Sequence, residues 1–210
     1  MSDENSVIHR RAMVKLLGLA PIAATLEWTG VDIDRAARKV AALGPSSAQS
    51  AALFAPSFFT ADEWQTVRVL VDYVIPKDDR SGSATDAKVP EFMDFILADA
   101  DASTAARDGI RGGLAWLDTE STERFGKTFV AATDAQRRQI LDDIAWPAKA
   151  RPEMSHGVAF FNRFRDLTAS GFFSSAMGFE DLKYMGNTFV PEWNGCPPEA
   201  LAKLGVSYGD

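Results

Sequence analysis

The fold of this chain is decided by residues 60–76, which read TADEWQTVRVLVDYVIP. The segment opens with a capping box, because the Thr60 hydroxyl can accept a backbone N–H three residues on while the Glu63 side chain reaches back. Apolar side chains then recur at helical spacing, at Trp64, Val67, Leu70, Val71, Val74 and Ile75. Pro76 ends this pattern because proline cannot continue a helix. The sequence therefore predicts an amphipathic helix that buries one face.

Four more helices are predicted beyond a polar loop at residues 77–88. They start at Val89-Pro90, at Ser103 or Thr104, after the cap Thr133-Asp134, and at His156. The third helix is expected to run through Leu117, with Phe125 and Phe129 continuing the apolar contacts across a turn. It contains Gly109, Gly112 and Gly113, which lower helix propensity and suggest that a facing helix approaches closely. No β alternation of useful length appears, so we predict an all-α, single compact domain of about five helices.

The two ends of the chain lack this periodicity. We assign residues 1–30 to a targeting segment, residues 31–57 to a linker and residues 58–210 to the helical domain. Within the linker, residues 31–43 are compatible with a loose helix, and the Gly-, Ser- and Pro-containing stretch 44–56 is typical of a flexible connection. After residue 173, glycines, prolines and aromatic residues alternate, which predicts an extended C-terminal tail.

The targeting segment has the layout of a twin-arginine export signal. Arg10 and Arg11 precede a short, small-residue-rich apolar run, and Met13 and Lys15 occupy the positions that the motif prefers. The run from Met13 to Leu26 is too short to span a bilayer comfortably. The alternative is an amphipathic helix that begins with two arginines. Twin-arginine signals address folded proteins, so the export interpretation predicts a periplasmic location and a cofactor held by this chain or by a companion.

The body of the chain offers no set of ligands for a cofactor of its own. Its histidines are His9 and His156, and Cys196 is its single cysteine. These exclude covalent haem, an iron–sulfur cluster and a His/Cys zinc site, and no dinucleotide-binding glycine motif is present. The net charge of −7 disfavours nucleic acid as a partner. No transmembrane helix is expected beyond the signal segment.

Two places hold side chains of the types that carry chemistry, and each has a plainer interpretation. Asp78-Asp79, with Asp72, Asp86 and Glu91 nearby, offers carboxylates for Ca²⁺, but their spacing does not match a calcium loop. A solvated loop, or a loop whose carboxylates cap backbone groups, explains this stretch better. His156 near a helix start is either an acid–base group or a structural residue, and the sequence shows no carboxylate partner for it.

The C-terminal tail combines aromatic side chains with turn residues. Such a segment is costly to order unless it packs on something. It either covers the helices of its own domain or docks on a partner protein, for which Trp, Tyr, Phe and Met are favoured anchors. The candidate interface residues are Phe172, Phe173, Tyr184, Met185, Asn187, Trp193, Asn194 and Cys196.

An ordered series of motifs resembles the gluconate 2-dehydrogenase subunit 3 family. The series comprises Phe58-Phe59-Thr60, Asp72-Tyr73-Val74-Ile75-Pro76-Lys77-Asp78, Ala87-x-Val89, Gly113-Leu114-x-Trp116-Leu117, Phe160-Phe161, Thr168-x-x-Gly171-Phe172-Phe173 and Asp181-Leu182-x-Tyr184-x-Gly186-Asn187. It covers most of the chain from Phe58 to Cys196. The resemblance implies a non-catalytic small subunit of a periplasmic, membrane-associated sugar or polyol dehydrogenase.

The resemblance also implies what the companion chains contain. The catalytic partner would be an FAD-dependent flavoprotein of the glucose–methanol–choline (GMC) oxidoreductase type, often with a cytochrome c subunit as electron acceptor. The small subunit would supply the twin-arginine signal and escort the flavoprotein through export, holding no cofactor itself. Two alternatives stay open on the residues alone: a free-standing periplasmic binding module and an independent enzyme.

Overall fold

The computed structural model describes residues 29–44, 54–184, 186, 189, 191–192 and 194–208, and all regular structure in these ranges is helical. The elements in chain order are α1 (Gly30–Ala42), α2 (Ala61–Val74), α3 (Val89–Ala98), α4 (Thr104–Phe125), α5 (Asp134–Ala145), a 3-10 helix (Pro152–Met154), α6 (Ser155–Phe173), α7 (Ala176–Leu182) and α8 (Pro198–Leu204). The all-α prediction is confirmed, with eight α-helices in the described residues where about five were expected. None of these helices has both the length and the hydropathy that crossing a bilayer requires.

Helix α2 forms as its sequence predicts. The Thr60 hydroxyl accepts the Glu63 N–H at 3.3 Å, and the Glu63 carboxylate accepts the Thr60 N–H at 2.8 Å, which completes the capping box. Val67, Leu70 and Val71 are each 0% exposed. Full burial of such a side chain contributes roughly 1.5–3 kcal/mol of transfer free energy. The helix ends at Val74, because the position before proline disfavours helical backbone.

Helix α6 is the centre of the domain and packs against α3, α4, α5 and α7. Its aromatic residues Phe160, Phe161 and Phe164 are buried. The rings of Phe160 and Phe164 lie 5.6 Å apart between centroids. The apolar positions of this helix therefore belong to the core, as the helical spacing predicts.

The glycines of α4 differ in their surroundings, and the expected close approach of a facing helix does not occur at all of them. A Cβ atom built on Gly113 would lie 1.8 Å from the Phe160 ring, so α6 packs directly on the α4 backbone there. A Cβ atom on Gly112 would meet nothing within 4 Å. The predicted close approach is confirmed at Gly113. Helix α4 also runs two turns beyond Leu117 and ends at Phe125, where Gly126 adopts φ +68°.

Helix α1 lies inside the segment that the sequence analysis assigns to a linker. Thr29 and Asp32 form a capping box at its start, with the Thr29 N–H donating to Asp32 at 2.9 Å. The helix packs on α3, buries Ala36, and is tied to the end of α3 by an ion pair of Arg35 with Asp99 at 3.1 Å. In the described residues, packing against the domain therefore begins at α1 rather than at Phe58.

The C-terminal region contains two short helices where an extended tail was expected. Helix α7 starts after the cap Ser175, and helix α8 starts with Pro198 at its first position. Each has seven residues, fewer than two full turns, which is too short to produce a readable apolar period. The C-terminal tail therefore contains two short helices that the sequence pattern does not reveal.

Candidate partner interface

Helix α7 is held firmly against the end of α6. The Ser175 hydroxyl donates to the Phe172 carbonyl at 2.6 Å and accepts the Gly178 N–H at 3.1 Å. A Cβ atom on Gly178 would lie 2.1 Å from the Phe172 carbonyl oxygen, so only glycine permits this approach. Arg80 in the loop before α3 forms an ion pair with Asp181 at 3.3 Å and also donates to its carbonyl. The position of α7 is thus set by α6 on one side and by this loop on the other.

The residues from α7 onward present apolar side chains to solvent. We call this set the C-terminal apolar residues; it comprises Phe179, Leu182, Tyr184, Phe189, Leu204, Val206 and Tyr208. Their exposed fractions run from 43% at Phe179 to 88% at Phe189. Within the set, the Phe179 and Tyr184 rings pack together with centroids 5.3 Å apart. Exposed apolar side chains mark interaction surfaces where they lie together, as Phe179 and Tyr184 do.

Helix α8 buries none of its residues. A helix of seven residues is only marginally stable in water, because nucleation is costly and few hydrogen bonds follow. After α8 the chain turns back, and the Tyr208 hydroxyl accepts the Cys196 N–H at 2.5 Å. This return holds residues 195–208 together as a local unit without burying the Leu204 side chain, which is 72% exposed.

The structure separates the predicted interface residues into core and surface. Phe172 is 0% exposed and packs edge-on against Phe173 at 5.2 Å, so Phe172 belongs to the core and offers no contact to a partner. Phe173 is partly buried against the same core. Tyr184 is 63% exposed, and Asn194 and Cys196 are exposed as well. Met185, Asn187 and Trp193 lie outside the described residues, as do the export residues Arg10, Arg11, Met13 and Lys15.

Sequence reasoning missed most of the C-terminal apolar residues. It selected Tyr184 but not Phe179, Leu182, Phe189 or Tyr208. Isolated apolar residues in a stretch without periodicity do not reveal whether they face the core or solvent. The one usable indication was the short helix start at Pro197-Pro198, since proline is favoured in a first turn and Leu201 and Leu204 follow three residues apart.

The acidic loop between α2 and α3 uses its carboxylates on the backbone. Asp78 accepts the N–H groups of Arg80 and Ser81, both at 2.9 Å. Asp72 on α2 accepts the Thr85 N–H at 2.8 Å. Asp86 accepts the Ser83 N–H at 3.0 Å. These bonds are the capping arrangement that the sequence favoured over a calcium loop.

No group of three or more His, Cys, Asp or Glu side chains suited to a metal ion occurs in the part of the chain that the structure describes. His156 is exposed in the first turn of α6. Its position gives the imidazole no buried environment.

Two buried acids on α3 differ in how their carboxylates are hydrogen-bonded. The Asp94 carboxylate is 0% exposed and accepts three backbone N–H groups, from Ser57 at 2.8 Å, Phe58 at 2.9 Å and Phe59 at 3.2 Å. Glu91 is 3% exposed, and its Oε2 has no hydrogen-bond partner among the described residues. Burial raises the pKa of Glu91, although the positive charges of Arg68 and Lys88 oppose the shift. Asp94 anchors the chain that leads into α2.

The described residues form an all-α domain whose C-terminal region exposes several apolar side chains. Its sequence matches the family model described as gluconate 2-dehydrogenase subunit 3 over residues 61–191, more than half of the chain. The protein belongs to the gluconate 2-dehydrogenase subunit 3 family. Among curated proteins and solved structures, none matches it significantly.

The family assignment has a direct consequence for the role of the chain. A member of this family is a subunit of a dehydrogenase complex and partners a catalytic subunit. The resemblance inferred from the ordered motifs is therefore confirmed. Of the aromatic residues of the resemblance that fall in α6, Phe160, Phe161 and Phe172 are buried in the core, and Phe173 is partly buried against it.

Proposed function

We propose that this protein is the non-catalytic small subunit of a periplasmic, FAD-dependent sugar or polyol dehydrogenase. Its partner in this proposal is a GMC-type flavoprotein, with a cytochrome c subunit as a further component of the complex. FAD and the oxidation of substrate belong to the flavoprotein. The family assignment supports the role of a subunit, and the C-terminal apolar residues support a protein partner.

The observation that carries the proposal is the exposure of α8. An isolated seven-residue helix gains too little from its own hydrogen bonds to be stable, and α8 buries no side chain against its domain. Packing on a partner would bury Leu204 and its neighbours. A few buried anchor residues, among which tyrosine is favoured, supply most of the binding energy in protein interfaces.

The second part of the proposal concerns export. Arg10 and Arg11, with Met13 and Lys15, form the twin-arginine signal, and the flavoprotein folds around FAD in the cytoplasm before it binds this chain. The pair then crosses the membrane on one signal, so this chain acts as an escort and stays on as a structural subunit. An export signal for folded cargo, on a chain whose sequence lacks a ligand set of its own, supports this order of events.

Export is tested by replacing Arg10-Arg11 with Lys-Lys in the full chain, co-expressed with the flavoprotein. We expect both subunits to accumulate in the cytoplasm, measured by immunoblotting of fractions and by periplasmic dehydrogenase activity. Normal periplasmic activity in this variant would contradict the escort role. Turnover of a sugar by the purified small subunit alone would favour the independent enzyme instead.

The interface is tested separately by co-purification. Tyr184→Ser and Leu204→Ser remove exposed apolar side chains, so neither should change the folding of the isolated chain. We expect each to reduce the amount of flavin-containing partner that co-purifies by at least several-fold. Val31→Ser is the matched control, because Val31 is 64% exposed on α1 and is not one of the C-terminal apolar residues. Equal recovery of partner with all three variants would remove the C-terminal region from the interface.

A further inference from the structure

A groove of about 430 Å³ opens between α1, the start of α3 and the junction of α6 with α7. Its apolar lining consists of small residues and a few larger ones: Ala37, Val40, Ala41, Ala87, Phe92, Gly171, Ala176 and Met177. The volume lies within the range of about 300–1,000 Å³ that small-molecule sites occupy. The groove exists because alanine and glycine stand where α1 faces the α6–α7 junction.

Lys88 places a cation in this otherwise apolar lining. The residue is only 7% exposed, and its Nζ donates to the Gly44 carbonyl at 2.6 Å. Both partners of this bond line the groove. An ammonium group has three N–H donors, so two remain without an acceptor among the described residues. Lys88 forms no ion pair in the part of the chain that the structure describes.

The neighbouring acids leave this ammonium available. Asp86 also lines the groove, but its Oδ2 accepts the Ser83 N–H, and no contact joins it to Lys88. The positive charge of Lys88 opposes the rise that burial causes in the pKa of Glu91, but the two side chains do not form an ion pair. A buried ammonium is stabilised by each additional oxygen acceptor that replaces lost hydration. The groove therefore places an apolar wall beside an ammonium group, two of whose N–H donors have no acceptor among the described residues.

We propose that this groove binds a small amphiphile whose apolar chain lies along α1 and the α6–α7 junction and whose carboxylate accepts hydrogen bonds from Lys88 Nζ. The ligand class is a medium-chain fatty acid. The inference goes beyond the proposed function and does not depend on it, because binding is a property of this chain alone.

The probe is decanoate, titrated below its micelle concentration into the purified full chain by isothermal calorimetry. Decanol and decyltrimethylammonium have the same chain with a neutral and a positive head. We expect decanoate to bind saturably and most tightly, decanol more weakly and the ammonium compound least. Tightest binding of the ammonium compound would identify Asp86 as the head-group partner and overturn the proposal, as would the absence of saturable decanoate binding.

Two kinds of variant separate the head group from the chain. Lys88→Met keeps a long side chain and removes the charge, so decanoate should bind at least about ten-fold more weakly while decanol changes little. Ala41→Phe fills the groove from α1 and should abolish binding of both. Ala42→Phe is the matched control, since Ala42 is the next residue on α1, is exposed and does not line the groove.

Circular dichroism melting of each variant checks that it folds, and the Ala41→Phe test stands even if Lys88→Met does not fold. Equal loss of decanoate and decanol in Lys88→Met would show that the lysine shapes the groove without holding the carboxylate. Unchanged decanoate binding in Ala41→Phe would place the bound probe elsewhere. Either result contradicts the proposed site.

Discussion

The packing of α6 on the backbone of α4 leads to a quantitative prediction for Gly113→Ala. The added Cβ atom would lie 1.8 Å from Cδ2 and 2.1 Å from Cγ of Phe160, a ring that is only 3% exposed. These are atoms near the base of a buried side chain, so relief requires a shift of the ring or of the helix. Overpacking of this kind costs about 1–3 kcal/mol.

The substitution also has a favourable part, because alanine is preferred over glycine in a helix by about 0.5–1 kcal/mol. Gly112→Ala isolates that part, since its Cβ atom would meet nothing within 4 Å. We therefore expect Gly112→Ala to be more stable than the wild type. Gly113→Ala should be less stable than Gly112→Ala by about 1–3 kcal/mol, the overpacking cost by itself.

Urea denaturation followed by circular dichroism at 222 nm measures both free energies of unfolding. A third comparison, Gly113→Ala combined with Phe160→Leu, removes the ring that the new methyl group meets. In the Phe160→Leu background, Gly113→Ala should lower the free energy of unfolding by less than it does in the wild type, because residues 113 and 160 are in contact. Equal stability of Gly112→Ala and Gly113→Ala would refute the claim that α4 and α6 are in backbone contact at Gly113.

Two further predictions concern the buried acids of α3. Asp94→Ala leaves the N–H groups of residues 57–59 without their acceptor and should lower the free energy of unfolding by about 3 kcal/mol in urea titrations, whereas an unchanged value would mean that water or another group replaces the carboxylate. Because burial raises the folded-state pKa of Glu91 above its ordinary value of 4.5, its ionisation opposes folding, and this part of the stability is lost as pH rises above that value. Glu91→Gln should therefore be more stable than the wild type at pH 8, with a difference that shrinks toward pH 4; a difference that grew toward low pH would contradict the direction of the shift.

The long helices were predictable because their determinants are local. In α2, the capping residues and the apolar repeat are close in sequence, and the structure reproduces the predicted start and end closely. The same holds for α5, which begins after Thr133 and ends before Pro147. Helix α4 was predicted to end near Leu117, with a turn before Phe125, whereas it continues to Phe125 and ends at Gly126.

The short helices and the candidate interface were less accessible to sequence reasoning. Helices α7 and α8 span seven residues each, so their formation depends on caps and on neighbouring chain more than on periodicity. Phe172 and Phe173 are adjacent aromatic residues with the same sequence context, yet only Phe172 is fully buried. Which of two adjacent side chains faces the core depends on the rotation of the helix against its neighbours.

For this protein, the sequence by itself determined the all-α class, the amphipathic helices from α2 to α6 and the family. All of these depend on residues within a few positions of one another, or on their order along the chain. Only the tertiary structure decided that α1 packs on α3, that Asp94 holds the backbone of residues 57–59, and that Lys88 lines a groove with α1 and α7. These features join residues far apart in sequence, and their free energies arise from burial and contact that no local pattern encodes.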